Sequence, residues 1–235
     1  MESMDSMENI KTNIDTVKAK IKIAAEKSGR NSEQITLIAV TKRFPSETIK
    51  TAAQFGITDV GESRLQEAKP KIAELGNITK WHMIGHLQTN KVKKAIPLFD
   101  LLHSLDSLKL ATEINRRAET LNKKVNCLLE VNSSGEDSKH GFAPDKVLDA
   151  IKKIKDIKNI NLCGLMTIGP NSNNVDTIRQ AFELTRNLFV DGQKIIGDNF
   201  STLSMGMSSD YELAIEEGST MVRVGTAIFG NRPPL

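Results

Sequence analysis

The chain has almost no charge imbalance to offer a polyanion: 32 lysines and arginines stand against 29 aspartates and glutamates, a formal net charge of +3. That is too mild to argue for nucleic acid. The lysines are also spread along helix faces, as in Lys152-Lys-Ile-Lys155, rather than clustered. No apolar run approaches the roughly eighteen residues of a membrane span. The first twenty residues alternate acid, base and apolar instead of forming a signal peptide. Cysteine is nearly absent. Cys127 and Cys163 each sit inside a strand-like apolar run, so buried free thiols are expected rather than a disulfide. Together these features point to the cytoplasm as the expected location. Three nucleotide and hydrolase signatures are missing as well: G-x-G-x-x-G, the Walker loop and G-x-S-x-G.

What remains is an ordinary globule of 235 residues, 39% hydrophobic and 26% charged, long enough to bury a real core. Its organising stretch is Ile35-Thr-Leu-Ile-Ala-Val-Thr-Lys42. The short β-branched run reads as a strand buried on both faces, as in a parallel sheet. Pro45 stops it, and Ser46 is placed to cap the next helix. Lys42 therefore stands at the carboxyl end of a buried strand. A lysine is by default a surface residue with a snorkelling stem, but in parallel α/β architectures this edge is where ligands bind.

Around that strand the same unit recurs. An extra N-terminal helix is expected over 6–28, from Ile10, Ile14, Val17, Ile21 and Ala24 at steps of four and three. Strands are expected near 35–40, 59–60, 81–84, 99–103, 125–131, 160–166, 201–204 and 220–224, and helices over 46–55, 64–75, 91–96, 106–121, 144–155, 175–189 and 210–217. Eight βα units in one α/β domain over 1–235 are the arithmetic of a (β/α)8 TIM barrel. An open doubly wound sheet would carry the glycine fingerprint that is missing.

In a barrel the loops after the strands form the active face. These loops present Lys42, Glu62-Ser63, His86, Ser104, Asn132, Thr167, Met205 to Ser208 and Gly225-Thr226. The last two strand-to-helix turns are the usual phosphate cradle. Here they read Met205-Gly-Met-Ser-Ser209 and Gly225-Thr-Ala-Ile-Phe-Gly230, with glycine for close backbone approach and hydroxyls as donors. Glycine and serine also populate plain turns. Both segments falling at one end of adjacent strands favours phosphate.

A lysine facing a phosphate site suggests a carbonyl ligand held as a Schiff base, since desolvation frees the amine. Pyridoxal 5′-phosphate (PLP) supplies both aldehyde and phosphate. Arg223, two residues before Gly225, shares its side of the strand and is placed to reach the ring.

The histidines say less. His82 and His86 lie on a strand and its turn, where i, i+4 spacing does not bring two side chains to one metal, so no metal site is expected. His103 and His140 read as hydrogen-bonded turn residues.

At these positions the chain resembles the pyridoxal phosphate homeostasis proteins (the YggS/PROSC family). The resemblance is carried by Ala39-Val-Thr-Lys42, Gly61-Glu62, Trp81-His-Met-Ile-Gly85 with Leu87-Gln-Thr-Asn-Lys91, Gly164-Leu-Met166, Ser204-Met-Gly-Met-Ser-Ser-Asp210, and Val222-Arg-Val-Gly-Thr226 with Ile228-Phe-Gly230. These segments span nearly the whole chain in the family's order. The family fold is a single barrel similar to the PLP domain of alanine racemase. Carried over by position, Lys42 would be the Schiff-base lysine and Ser208, Gly225 and Thr226 the phosphate cradle. Arg223 would lie beside the pyridine nitrogen, with Ser63, Met166 and Ser204 completing the cofactor-binding set. Ser63 stands where the family usually has asparagine.

The resemblance implies a PLP carrier without substrate turnover, serving apo PLP-dependent enzymes. A racemase-like PLP enzyme is the alternative. It needs a second base, which in alanine racemase is a tyrosine from a partner's extra domain. This chain ends nine residues after Thr226, and its single tyrosine, Tyr211, opens a helix as a packing residue. With no added domain, a monomer is expected. A cofactor-free Schiff-base aldolase would want a lysine in mid-barrel beside an acid–base partner, whereas Lys42 is flanked by Thr41 and Arg43.

Overall fold

The structure, a computed structural model, describes residues 4–136 and 139–231. Eight parallel strands close into one barrel in sequential order. They are β1 (Thr36–Val40), β2 (Asp59–Glu62), β3 (Lys80–Met83), β4 (Leu101–Leu105), β5 (Val125–Val131), β6 (Ile160–Thr167), β7 (Thr202–Ser204) and β8 (Met221–Val224). Nine α-helices are described: α1 (Met4–Lys27), α2 (Ser46–Gln54), α3 (Leu65–Leu75), α4 (Val92–Ala95), α5 (Leu108–Thr120), α6 (Val147–Ile154), α7 (Val175–Ile196), α8 (Tyr211–Glu216) and α9 (Thr226–Phe229). The barrel shuts where β1 meets β8, with Ile38 opposite Arg223.

Strand alternation divides the buried side chains in two. Ile38, Leu101, Leu128, Met166 and Met221 fill the barrel interior. Their neighbours Ala39, Leu102, Cys127, Leu129, Leu165 and Val222 belong to the larger core between strands and helices. The expected apolar stripe of α1 is buried as Ile10, Ile14, Val17, Ile21 and Ala24. That helix packs against α8, α9 and α2, so it covers the seam where the barrel closes. Asn13 Nδ2 donates to the Ile228 carbonyl at 2.9 Å and Arg30 donates to the Ser219 carbonyl at 2.9 Å, fixing the N-terminal segment to the last βα unit.

Three expectations need correction. Strand β4 runs to Leu105, so His103 and Ser104 lie inside it rather than in a turn. Ser104 is tolerated there because its hydroxyl donates to the Gly85 carbonyl at 2.7 Å. Helix α7 continues to Ile196, past the expected end at 189. Gly192 lies within the helix, where a Cβ would meet the Phe200 ring at 2.6 Å, so this glycine is a packing residue. Finally, α2 is preceded by Pro45 as its cap position, without a side-chain cap, and Ser46 is its first residue.

The free thiols agree with expectation for Cys127, which is buried, while Cys163 is half-buried. Among the described residues no helix is long and apolar enough to cross a membrane.

Candidate functional site

At the carboxyl edge of the barrel lies a cavity of about 700 Å³. Six of the eight residues singled out in the sequence line it: Lys42, Ser63, Ser208, Arg223, Gly225 and Thr226. Met166 packs in the barrel interior, and Ser204 is fully buried against Arg223. Neither is among the lining residues. Ile84, Ile168 and Met207 supply apolar walls; Met207 lies in the Met205-to-Ser208 turn expected on this face and Ile84 in the Trp81-to-Gly85 segment, neither expected as a wall. Each directly follows a strand end or its turn, which is the only signal that could have found them.

The lysine is set by its neighbours. Thr41 is buried, and its hydroxyl donates to Glu62 Oε1 at 2.7 Å. Lys71 of α3 reaches the same oxygen at 2.7 Å and the Thr41 carbonyl at 2.9 Å. Burial raises the Glu62 carboxyl pKa, with Lys71 and Thr41 acting against it. The next residue, Arg43, takes φ 71°, a left-handed conformation uncommon outside glycine, and its amide donates to Glu67 Oε2 at 3.0 Å. The turn that carries Lys42 is thus pinned from β2 and α3 on both sides.

Opposite, the turns after β7 and β8 meet at Ser208. The backbone amides of Gly225 and Ala227 both donate to its Oγ, at 3.1 and 3.3 Å. Gly206 lets the first of these turns form. Its φ is +95°, and a Cβ would meet Ala214 Cβ at 2.6 Å and Tyr211 Cα at 2.9 Å. Asp210 secures the same turn by accepting from the Met207 amide at 2.6 Å.

The cavity floor is Arg223, only 4% exposed. Its Nη1 donates to the Ser204 carbonyl at 2.9 Å and to Ser204 Oγ at 2.6 Å, and its Nη2 to the Thr167 carbonyl at 2.8 Å. Burial lowers its pKa to about 10, against the charges of Asp210 and Glu130, so it stays a cation at neutral pH. Glu130 lies beside it, lining a smaller adjoining cavity of about 230 Å³ that shares Ile84, Gly85 and Ile168 with the first. Burial, and then the charge of Asp106, raises its carboxyl to about 7 while Arg223 opposes the rise. Its Oε2 has no hydrogen-bond partner among the described residues.

The histidines depart most from expectation. His103 is buried inside the barrel, bonded to His82 at 3.0 Å and to Ser204 at 3.2 Å. His86 does acquire an acidic companion, from the loop after β4. Its Nδ1 lies 2.9 Å from Asp106 Oδ2, and its ring stacks on His140 at a centroid distance of 3.9 Å. The ligand atoms of His86, Asp106 and His140 lie within 4.8 Å of one another. In sequence these three are far apart, which is why the spacing argument missed them.

A lysine in the turn after β1, in one cavity with serine, glycine and threonine from the last two turns of a closed parallel barrel, defines a protein of the alanine racemase N-terminal type. The family described as "Alanine racemase, N-terminal domain" matches residues 7–233. Within that class, the chain belongs to the pyridoxal phosphate homeostasis protein family. It is 39% identical over 227 residues to the pyridoxal phosphate homeostasis protein of Pseudomonas aeruginosa, covering 96% of this chain and 97% of that one. It is 40% identical over 234 residues to its Escherichia coli counterpart, covering 96% and 98%. Among solved structures, PipY of Synechococcus elongatus with PLP bound matches with a TM-score of 0.81 at 31% identity, covering 94% of this chain and all of that one. Alanine racemase of Clostridium difficile matches with a TM-score of 0.76 at 18% identity, over 97% of this chain and 57% of that one, and shares the fold alone.

Proposed function

We propose that this chain binds PLP covalently at Lys42 and serves intracellular PLP homeostasis as a carrier, without turning over a substrate. The observation that carries this reading is the shared cavity: Lys42 stands across from Ser208, Gly225 and Thr226 in one space of about 700 Å³. The residues fit the cofactor. Two backbone amides already converge on one oxygen, Ser208 Oγ, a donor arrangement suited to an anionic oxygen. When bound, PLP supplies an aldehyde that a lysine amine takes up with loss of water, together with a phosphate dianion.

In this reading Lys42 offers its amine from a half-buried position. Ser208, Gly225 and Thr226 hold the phosphate, and Ser63 borders the opposite wall. Arg223 faces the ring nitrogen. A guanidinium only donates, so it favours an unprotonated ring, which is a poor electron sink. Racemisation would further need a second base across from Lys42. Tyr211 is buried at the start of α8, its hydroxyl pushed up to about 12 by burial, and no tyrosine or histidine is among the residues lining this cavity.

Apo PLP-dependent enzymes are the proposed recipients. Free thiols fit a reducing cytoplasm. The exposed large apolar residues are scattered over several elements, which fits a monomer. The test is solvent deuterium incorporation at Cα of L-alanine with PLP-loaded protein. No appreciable exchange is expected. Exchange at enzyme-like rates, abolished by Lys42→Ala, would replace the carrier with a racemase-like enzyme.

A further inference from the structure

Barrel interiors are normally layers of branched aliphatic side chains. Directly beneath this cavity the layer is polar. Asp59 Oδ1 lies 2.8 Å from His82 Nε2, His82 Nδ1 lies 3.0 Å from His103 Nε2, His103 Nδ1 lies 3.2 Å from Ser204 Oγ, and Ser204 Oγ lies 2.6 Å from Arg223 Nη1. The five residues come from β2, β3, β4, β7 and β8, and none is more than 5% exposed. A buried polar chain of this length is costly unless every member is satisfied.

With both imidazoles neutral, every proton in the chain has one place to go. Arginine cannot accept, so Ser204 Oγ accepts from Arg223 and its own hydrogen is free for His103 Nδ1. His103 then carries its hydrogen on Nε2 and donates to His82 Nδ1, and His82 carries its hydrogen on Nε2 and donates to Asp59. Starting from the carboxylate end gives the same answer. Burial works against the Asp59 charge, but bonds from His82 and Thr58 outweigh it and hold this carboxyl below its ordinary pKa. Burial holds His103 well below the usual imidazole range, which keeps it neutral.

We propose that Asp59, His82, His103 and Ser204 are positioning residues, a relay of fixed hydrogen-bond polarity that holds the Arg223 guanidinium against the ring-nitrogen end of the ligand. The ligand half of this statement rests on the PLP reading above; the polarity does not.

Asp59→Asn tests both. The Thr58 hydroxyl donates to Asp59 Oδ2 at 2.7 Å, and an asparagine that leaves its carbonyl in that place presents its amide to His82. His82 Nε2 must then accept. Its hydrogen moves to Nδ1, His103 follows, and Ser204 Oγ receives a second donor in competition with Arg223.

Two-bond 15N–1H correlation spectra of the full chain without ligand read the tautomers. In wild type both His82 and His103 are expected as the Nε2–H form, and in Asp59→Asn both as the Nδ1–H form. PLP affinity should fall about tenfold in the variant, the scale of one compromised hydrogen bond to a charged group. An Nδ1–H tautomer at His103 in wild type overturns the proposal, and so does one ring changing without the other. Concerted change with unaltered PLP affinity overturns the positioning role. Should Asp59→Asn not fold, the wild-type tautomers decide the polarity, and Ser204→Ala, expected to weaken PLP by the same factor, decides the positioning. Wild-type protein that binds no PLP would refute the carrier reading and leave the tautomer result to stand by itself.

Discussion

Replacing Glu130 by glutamine should stabilise the protein at alkaline pH and do nothing in acid. Glu130 is 6% exposed, its Oε2 has no partner among the described residues, and its carboxyl is raised from 4.5 to about 7 by burial and by Asp106. A folded-state value above the unfolded one means that the folded protein binds the proton more tightly. Between about pH 4.5 and pH 7 stability therefore falls as pH rises, and above pH 7 the full cost of a buried charge is present. At about 1.4 kcal/mol per pH unit, that displacement amounts to roughly 3.5 kcal/mol as an upper bound. His103 works in the opposite sense. Its folded-state value lies well below 6.5, so it costs stability as pH falls through 6.5. The two flatten the wild-type profile, and only the difference between variant and wild type isolates Glu130. Urea midpoints of ligand-free protein at pH 4 and pH 8, read at constant slope, give that difference. The expected gain is roughly 2–3 kcal/mol at pH 8 and none at pH 4. A glutamine variant that is less stable at pH 8, or shifted equally at both pH values, would refute the reasoning.

Two further outcomes follow from the same geometry. Lys71→Met strands the Glu62 carboxylate at full burial and releases the Thr41 carbonyl, so a loss of roughly 3–5 kcal/mol in urea unfolding is expected; a loss below about 1 kcal/mol, typical of surface pairs, would show the pair to be dispensable. Ser208→Ala or Thr226→Val should weaken PLP by about tenfold or more while sparing pyridoxal, which lacks the phosphate; equal weakening of both ligands would move the phosphate elsewhere.

The barrel was legible because its signals are local and repeated. Apolar runs recur eight times with helix periods and some glycine stops between them, and the one strand misplaced by two residues, β4, hides its continuation behind the polar pair His103-Ser104. The cavity was legible wherever barrel topology sends a strand end to a known face, as with Lys42, Ser208 and Gly225. What sequence spacing could not reveal are contacts across the barrel. Asp59, His82, His103 and Ser204 are separated by 21 residues or more at each link. A period-two pattern says only that each points inward, and the expectation for an inward residue is apolar. His86, Asp106 and His140 converge from three separate loops for the same reason.

The central claim is that Lys42 is the residue that holds PLP. Borohydride treatment of PLP-loaded protein, followed by digestion and peptide mass mapping, tests it directly. The account predicts a single pyridoxyl-phosphate adduct on Lys42, and no adduct or band near 400 nm (roughly, for a lysine-bound cofactor) in Lys42→Ala. A wild-type adduct on another lysine, such as Lys139 in the adjoining cavity, or undiminished trapping by Lys42→Ala, would contradict it.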